Sequence, residues 1–424
     1  MTNSSTSLST HSATGAADAP RQPEAGAQPT PDGRSDSEVI ALVGFAHGVS
    51  HFFHLLLPPL FPWLMAEFAL SFSGIGGVIT LFFVVSGIGQ AAAGVLVDRI
   101  GAARVLAGGL ACFVIAALLL AFANGLAMLY VVAAIAGLGN CVFHPADFTV
   151  LNRHVSTARL GHAFSIHGVS GNVGWALAPL LLTGVASLAG FRVAALAAAV
   201  VALAALALVF LRRQVLADPP AAADAPPASK GSSFAYLGAL PVWLCFAFFL
   251  CITTAFGAMQ NFASPILQSM YGLSLAMAAS SVSAYLLGGG AGILFGGFLA
   301  RRGRQETLIA LALGAAALLA LLLASGLPPA ASLLPLLATI GFCTGIAGPS
   351  RDLLVRRVAT SRFGQAAYGR VYGFVYSGLD AGLALAPLIF ASFMDSGRFT
   401  AVLLGVAALQ TLSIFAAWSA GRSR

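Results

Sequence analysis

Three histidines, His47, His51 and His54, stand in an otherwise apolar stretch near the start of the chain. Their spacing of four then three puts all three on one face of a helix. Imidazole titrates near pH ~6.5, so such a stripe can carry protons or hold an anionic or hydrogen-bonding substrate. Its plainer use is to hydrogen-bond between packed helices. A metal is conceivable, but no acidic or thiol ligand lies in register nearby, and no metal site or cofactor is expected. Asn140, His144 and Asp147 repeat the same spacing, and His167 and the pair Arg351–Asp352 stand at the ends of later apolar stretches. If these ends meet, opposite charges there would form a gate. Asp380 lies in the middle of an apolar run, preceded at intervals of four by Tyr376, Tyr372 and Tyr368. It is the prime candidate for proton exchange, its alternative being a permanent pair with Arg or His. Asn172 and Thr253 are further polar positions inside apolar runs, although a threonine also satisfies its own helix carbonyl.

The elements that must position these groups are membrane helices. Of 424 residues, 58% are hydrophobic and 8% charged, whereas soluble domains carry about 25% charged residues. A charge at the centre of a bilayer-spanning helix costs at least about 2.5–3.5 kcal/mol, so each buried ionisable group needs a partner, a cavity or a task. Twelve apolar stretches reach the spanning length of about 20 residues. They cover 40–66, 75–97, 104–123, 126–150, 162–188 and 192–211, then 237–262, 275–300, 306–325, 332–351, 368–394 and 399–419. Residues 1–38, rich in Ser, Thr, Ala, Pro and Gly, read as a disordered cytosolic tail. No basic-then-apolar leader precedes the first span, which is expected to direct insertion itself. Residues 214–235, with Asp-Pro-Pro and Ala-Pro-Pro, read as a cytosolic linker between six-helix bundles at 39–213 and 236–424.

On this parse eighteen Lys and Arg residues fall on one side, and only Arg192 and Arg398 on the other. The rule that basic loops stay inside then places both termini in the cytosol. The net charge of +7 thus reports orientation in the bilayer and does not point to nucleic acid. The five cysteines lie inside apolar stretches without paired spacing, which fits core packing better than disulfides or a metal framework.

Between the second and third spans runs Gly94-Val-Leu-Val-Asp98-Arg99-Ile-Gly101-Ala-Ala-Arg104, and a degraded copy, Gly296-Gly-Phe-Leu-Ala300-Arg301-Arg302-Gly303-Arg304, recurs in the second half. Gly94 lies one turn before Asp98 and admits a neighbouring helix. Gly101 permits the reversal, and the arginines favour anionic headgroups. Asp98, Arg99, Gly101, Arg104, Arg301 and Gly303 form the expected hinge. Two more echoes follow in order. Phe143-His144-Pro145 matches Ala347-Gly348-Pro349, and Asn172-Val-Gly174…Pro179 matches Asp380-Ala-Gly382…Pro387. Parallel repeats of this kind belong to carriers that rock two bundles about a central site.

Hinge, twelve spans, central linker and duplicated halves together resemble the major facilitator superfamily over residues 39–420. His47, Phe143-His144-Pro145 and Gly171-Asn172-Val-Gly174…Pro179 make the first half similar to its fosmidomycin resistance protein group of bacterial drug exporters. Two positions depart from that group: His51 stands where it carries Asp, and Ala146 where it carries Glu directly after the His-Pro. Asp147 follows one residue later, about 100° round the helix. The expectation is an all-α membrane protein of twelve transmembrane helices in two pseudo-symmetric bundles, in the bacterial inner membrane, working as a monomer. The favoured function is a secondary active transporter that exports small drug-like or organic molecules against proton entry. An importer of a small organic anion, using Arg351 and the histidines, is the alternative; a transport-dead sensor or scaffold follows it. No nucleophile–base pair or phosphate loop suggests an enzyme.

Overall fold

The computed structural model describes residues 36–216, 235–300, 304–363 and 368–422. Among them the chain is helical throughout, with short 3-10 turns and no strand. Residues 1–35 of the expected tail and most of the expected linker lie outside the described residues, as do Arg301 and Gly303 of the hinge copy; residues 36–38, expected in the tail, instead open the first helix. The surroundings of Gly94 and the side chains of Asp98 and Tyr372 lie outside them too.

The first half holds α1 (Asp36–His54), α2 (Phe61–Phe68), α3 (Phe72–Ile100), α4 (Ala102–Ala121), α5 (Leu126–Asn140), α6 (Phe143–His154) and α7 (Thr157–Leu211). The second half holds α8 (Leu240–Tyr271), α9 (Leu275–Ala300), α10 (Gln305–Ala324), α11 (Leu333–Phe363), α12 (Tyr368–Asp395) and α13 (Phe399–Arg422). Ten of these helical segments are long and apolar enough to cross a bilayer, and α1 with α2 makes an eleventh bent by 42°. The twelfth is hidden in α7. At 1.5 Å per residue its 55 residues run about 80 Å, over twice the ~30 Å hydrocarbon core. Gly190, with φ 81° and ψ 166°, breaks it into two spans.

Prolines account for the other breaks. Pro58 and Pro59 stand four residues past His54 and Leu55, so neither can donate an N–H to those carbonyls, and α1 ends at His54. In the fourth span, the Pro145 ring has no N–H to offer the Cys141 carbonyl and crowds it; the helix is interrupted at Cys141–Val142. Two spans outrun their expected ends. The helix α8 reaches Tyr271 and α11 reaches Phe363, because polar residues past the apolar core still propagate a helix into the interface.

The packing repeats. In the first half α1 packs on α7, α3 on α5, and α4 on both α5 and α7; in the second, α8 packs on α12, α9 on α11, and α10 on both α11 and α13. Between the bundles, α3 meets α12 and α7 meets α9, two contacts that the repeat exchanges. Small residues allow the closest approaches, as in membrane helix pairs generally. A Cβ on Gly174 would fall on the Gly48 carbonyl, joining α1 to α7, and one on Gly341 or Gly345 would fall on the Tyr285 or Gly289 carbonyl of α9. Large apolar side chains such as Ile88, Leu188, Phe298 and Leu311 point outward, where lipid would lie.

Gly101 (φ 87°) makes the turn from α3 to α4, with Arg99 and Arg104 exposed beside it. At the opposite face the bundles are latched. Asp395, at the end of α12, accepts the Phe72 and Ser73 amides at the start of α3 at 2.6 and 2.9 Å, and also the Ser73 hydroxyl. The carboxylate thereby caps orphan amides at the positive end of a helix dipole. Closer to the middle, Thr80 Oγ1 donates to the Ala384 carbonyl at 2.9 Å, and Ser283 Oγ to that of Ala176 at 2.7 Å. Asp395→Ala is expected to loosen this face. In a Thr80→Cys background, alkylation at position 80 should quicken about fivefold, equivalent to ~1 kcal/mol; an unchanged rate would show that the latch carries no weight.

Candidate functional site

Five histidines and two acids sort into two places. The first is a polar column inside the N-terminal bundle, built by α1, α5, α6 and α7. Asp147, fully buried, takes both His47 Nδ1 (3.1 Å) and His167 Nε2 (3.0 Å) on one oxygen, Oδ2. The His47 and His167 rings stack with centroids 3.5 Å apart, and His144 lies 5.3 Å from His47. One nitrogen each from His47, His144 and His167 falls within 4.8 Å of the others. The column continues through His51, 4.3 Å from His47 and 4.8 Å from His54 by ring centroids. It ends at Asn140, whose Oδ1 lies 2.8 Å from His54 Nε2 and accepts the Ser50 hydroxyl at 2.7 Å. The Asn140 amide in turn donates to Ser86 Oγ on α3.

The one-face reading of both triplets therefore holds, since the turn at Cys141–Val142 leaves Asn140, His144 and Asp147 all facing α1. The statement that no acidic ligand stands near the helix 1 histidines does not hold: Asp147 touches His47 directly. Register along one helix cannot reveal a partner a hundred residues away. The expected gate is also divided. Asp147 is bonded within its own bundle, while Arg351 Nε donates to Asp352 Oδ1 at 2.9 Å and stacks on Phe249 at 4.4 Å. Tyr376 Oη donates to the same Asp352 oxygen at 3.2 Å. This group belongs to neither place; it lies on α8, α11 and α12 in the C-terminal bundle.

The second place is the seam between bundles. Asp380 lies on α12 with its Cβ 3.2 Å from where a Cβ on Gly87 of α3 would stand. Among the described residues it makes no ion pair or hydrogen bond, so the permanent pair with Arg or His is not found there. Its repeat partner Asn172, on α7, stands 3.1 Å from the Cβ position of Gly290 on α9. Each bundle thus presents a polar side chain of its fifth span to a glycine on the second span of the other. The Thr253 hydroxyl donates to the Phe249 carbonyl of its own helix at 2.7 Å, with the Gly378 carbonyl of α12 at 3.3 Å.

Sequence reasoning passed over Trp175, which joins the polar column to the other bundle. Its ring lies 4.1 Å from His51, its indole N–H donates to His54 Nδ1 at 3.3 Å, and it lies 5.1 Å from the Phe256 ring of α8. The available signal was its position one turn past Gly171, whose missing side chain leaves room for His51. Ser50 and Ser86 carried no signal, as lone serines in helices usually bond their own backbone.

This architecture agrees with known proteins. The Major Facilitator Superfamily profile matches residues 41–387. A 188-residue stretch is 34% identical to the fosmidomycin resistance protein of Escherichia coli (strain K12), covering 42% of this chain and 46% of that one. A 143-residue stretch is 30% identical to the uncharacterized MFS-type transporter YfnC of Bacillus subtilis (strain 168), covering 34% and 35%. The chain thus matches less than half the length of either relative. Among solved structures, a bacterial homolog of the human lysosomal transporter Spinster, inward-facing and unoccupied, superposes with a TM-score of 0.68 at 12% identity. Its inward-facing, occupied form gives 0.67 at 13%, and each comparison covers 93% of this chain and 96% of the other. The chain is a multi-pass membrane transporter that belongs to the Major Facilitator Superfamily.

Proposed function

We propose that this transporter is a proton-coupled exporter of small organic or drug-like molecules, working as a monomer in the bacterial inner membrane with both termini in the cytosol. The single observation that carries the proton part is Asp380, an acid held at the bundle seam without a partner among the described residues. Rocking of the bundles separates α3 from α12, so water reaches this carboxyl from alternate sides. A proton taken up there changes the charge at the moving contact, and with it the balance between the two arrangements.

The cargo wall is formed by His51, His54 and Trp175 from one bundle and Phe256 from the other, an aromatic surface with a few hydrogen-bonding nitrogens. Such a lining suits small amphipathic molecules. The name of the Escherichia coli relative, a resistance protein, favours export. The Asp395 latch, on the face opposite the Gly101 turn, suits a carrier closed on the outside, the state that the inward-facing Spinster homolog is named for. Anion import finds less support, because the Arg351 charge is already met by Asp352.

One charge crossing 100 mV supplies about 2.3 kcal/mol, enough for a roughly fifty-fold gradient of a neutral cargo. In everted vesicles with a preformed acid-inside pH gradient, adding cargo should alkalinise the lumen. A fosmidomycin-like phosphonate belongs in the first panel, beside growth tests of resistance. No alkalinisation across a broad panel, with the protein shown to be folded, would remove proton antiport.

A further inference from the structure

We propose that His47, His144, His167 and Asp147 form a site for a resident divalent transition-metal ion inside the N-terminal bundle. The ligands come from three elements, α1, α6 and α7, and the imidazole nitrogens already lie within 4.8 Å of one another. A zinc–nitrogen bond of 2.0–2.1 Å sets tetrahedral ligands about 3.4 Å apart. Closing the three nitrogens therefore needs shifts of about 1 Å, within reach of side-chain rotation. The Asp147 carboxylate stands beside them, with Oδ2 at 3.1 and 3.0 Å from nitrogens of His47 and His167, and joins the set by a shift of its own.

A cluster serving packing alone would use up its hydrogen-bonding atoms, as buried polar groups generally do. This one does not. Asp147 Oδ1 and His144 Nδ1 are both buried without a hydrogen-bond partner, and Asp147 is completely buried. An unmatched acceptor and an unmatched imidazole nitrogen beside two further imidazoles are what an ion would satisfy. Three nitrogens and one carboxylate oxygen suit Zn²⁺, Co²⁺ or Ni²⁺; Mg²⁺ and Ca²⁺ prefer all-oxygen shells. All four ligands belong to one bundle, so rocking the bundles leaves the set whole. The ion is accordingly a fixture that clamps α1 against α6 and α7, and it is not the cargo.

The test uses the full chain in detergent, with any polyhistidine tag removed, titrated with Co²⁺ and with Zn²⁺. Expected are saturable binding of one ion per chain, the visible d–d bands of tetrahedral cobalt bleached by Zn²⁺, and a raised Tm with Zn²⁺. His144→Ala and His167→Gln should each weaken binding at least about tenfold, whereas exposed His162→Ala on the same helix should not. Absence of saturable Co²⁺ and Zn²⁺ binding by the parent chain overturns the proposal without recourse to any variant. So does binding that survives undiminished in folded His144→Ala/His167→Gln protein. Neither result bears on Asp380 or on proton exchange.

Discussion

Asp380→Asn is expected to abolish proton-driven accumulation while leaving downhill exchange of the same cargo intact. The amide has the shape of the protonated acid and never acquires charge, so the bundles can still rock but no proton travels with the cargo. The steady-state gradient should collapse by roughly the fifty-fold that one proton moving through 100 mV supplies. The lumen of everted vesicles should no longer alkalinise when cargo is added. Retained accumulation in the Asn variant would place the coupling proton elsewhere. The geometry sharpens the expectation, because Asp380 faces Gly87 across the seam. Asn172, its counterpart in the repeat, faces Gly290 and is already an amide. One half of the molecule therefore carries natively the neutral residue that the variant would install in the other.

Gly174→Val is expected to prevent assembly of the N-terminal bundle. The added side chain would fall on the Gly48 backbone carbonyl and the atoms beside it, and backbone cannot rotate aside as a long side chain can. Overpacking in ordinary cores costs about 1–3 kcal/mol, and a backbone-on-backbone clash stands at or above that range. Moving α1 from α7 would also displace the histidine stripe from His167 and Trp175, so cargo binding should fail with folding. The comparison is Gly168→Ala, six residues earlier on the same helix, where a Cβ meets nothing within 4 Å. That variant should match the parent in yield, monodispersity by size exclusion and Tm. A monodisperse Gly174→Val protein with the parent Tm would mean that α1 and α7 do not meet as described.

Several of the tertiary features echo the repeats, and this explains why much of the fold was readable. The matching proline motifs at Pro179 and Pro387 lie on helices that occupy equivalent places. The Gly101 turn, expected from a glycine after charged residues, adopts the left-handed φ that the reversal requires. Asp395 escaped notice because it lies at a helix end, where an acid is ordinarily solvated. Only the arrival of the α3 amides from the other bundle gives it a task.

By itself the chain of residues determined twelve spans, their order, their duplication and the one-sided helical stripes of His47, His51, His54 and of Asn140, His144, Asp147. Those properties follow from hydropathy and from 3.6 residues per turn, both local along the chain. The tertiary structure alone decided which stripes face each other. It set Asp147 between His47 and His167, kept Arg351 with Asp352 in the other bundle, brought Trp175 onto His51, and left Asp380 against a glycine. The reason is physical. In lipid nearly every helix is apolar all round, so contact partners are selected by where small residues let backbones approach, and that complementarity is a property of pairs of helices.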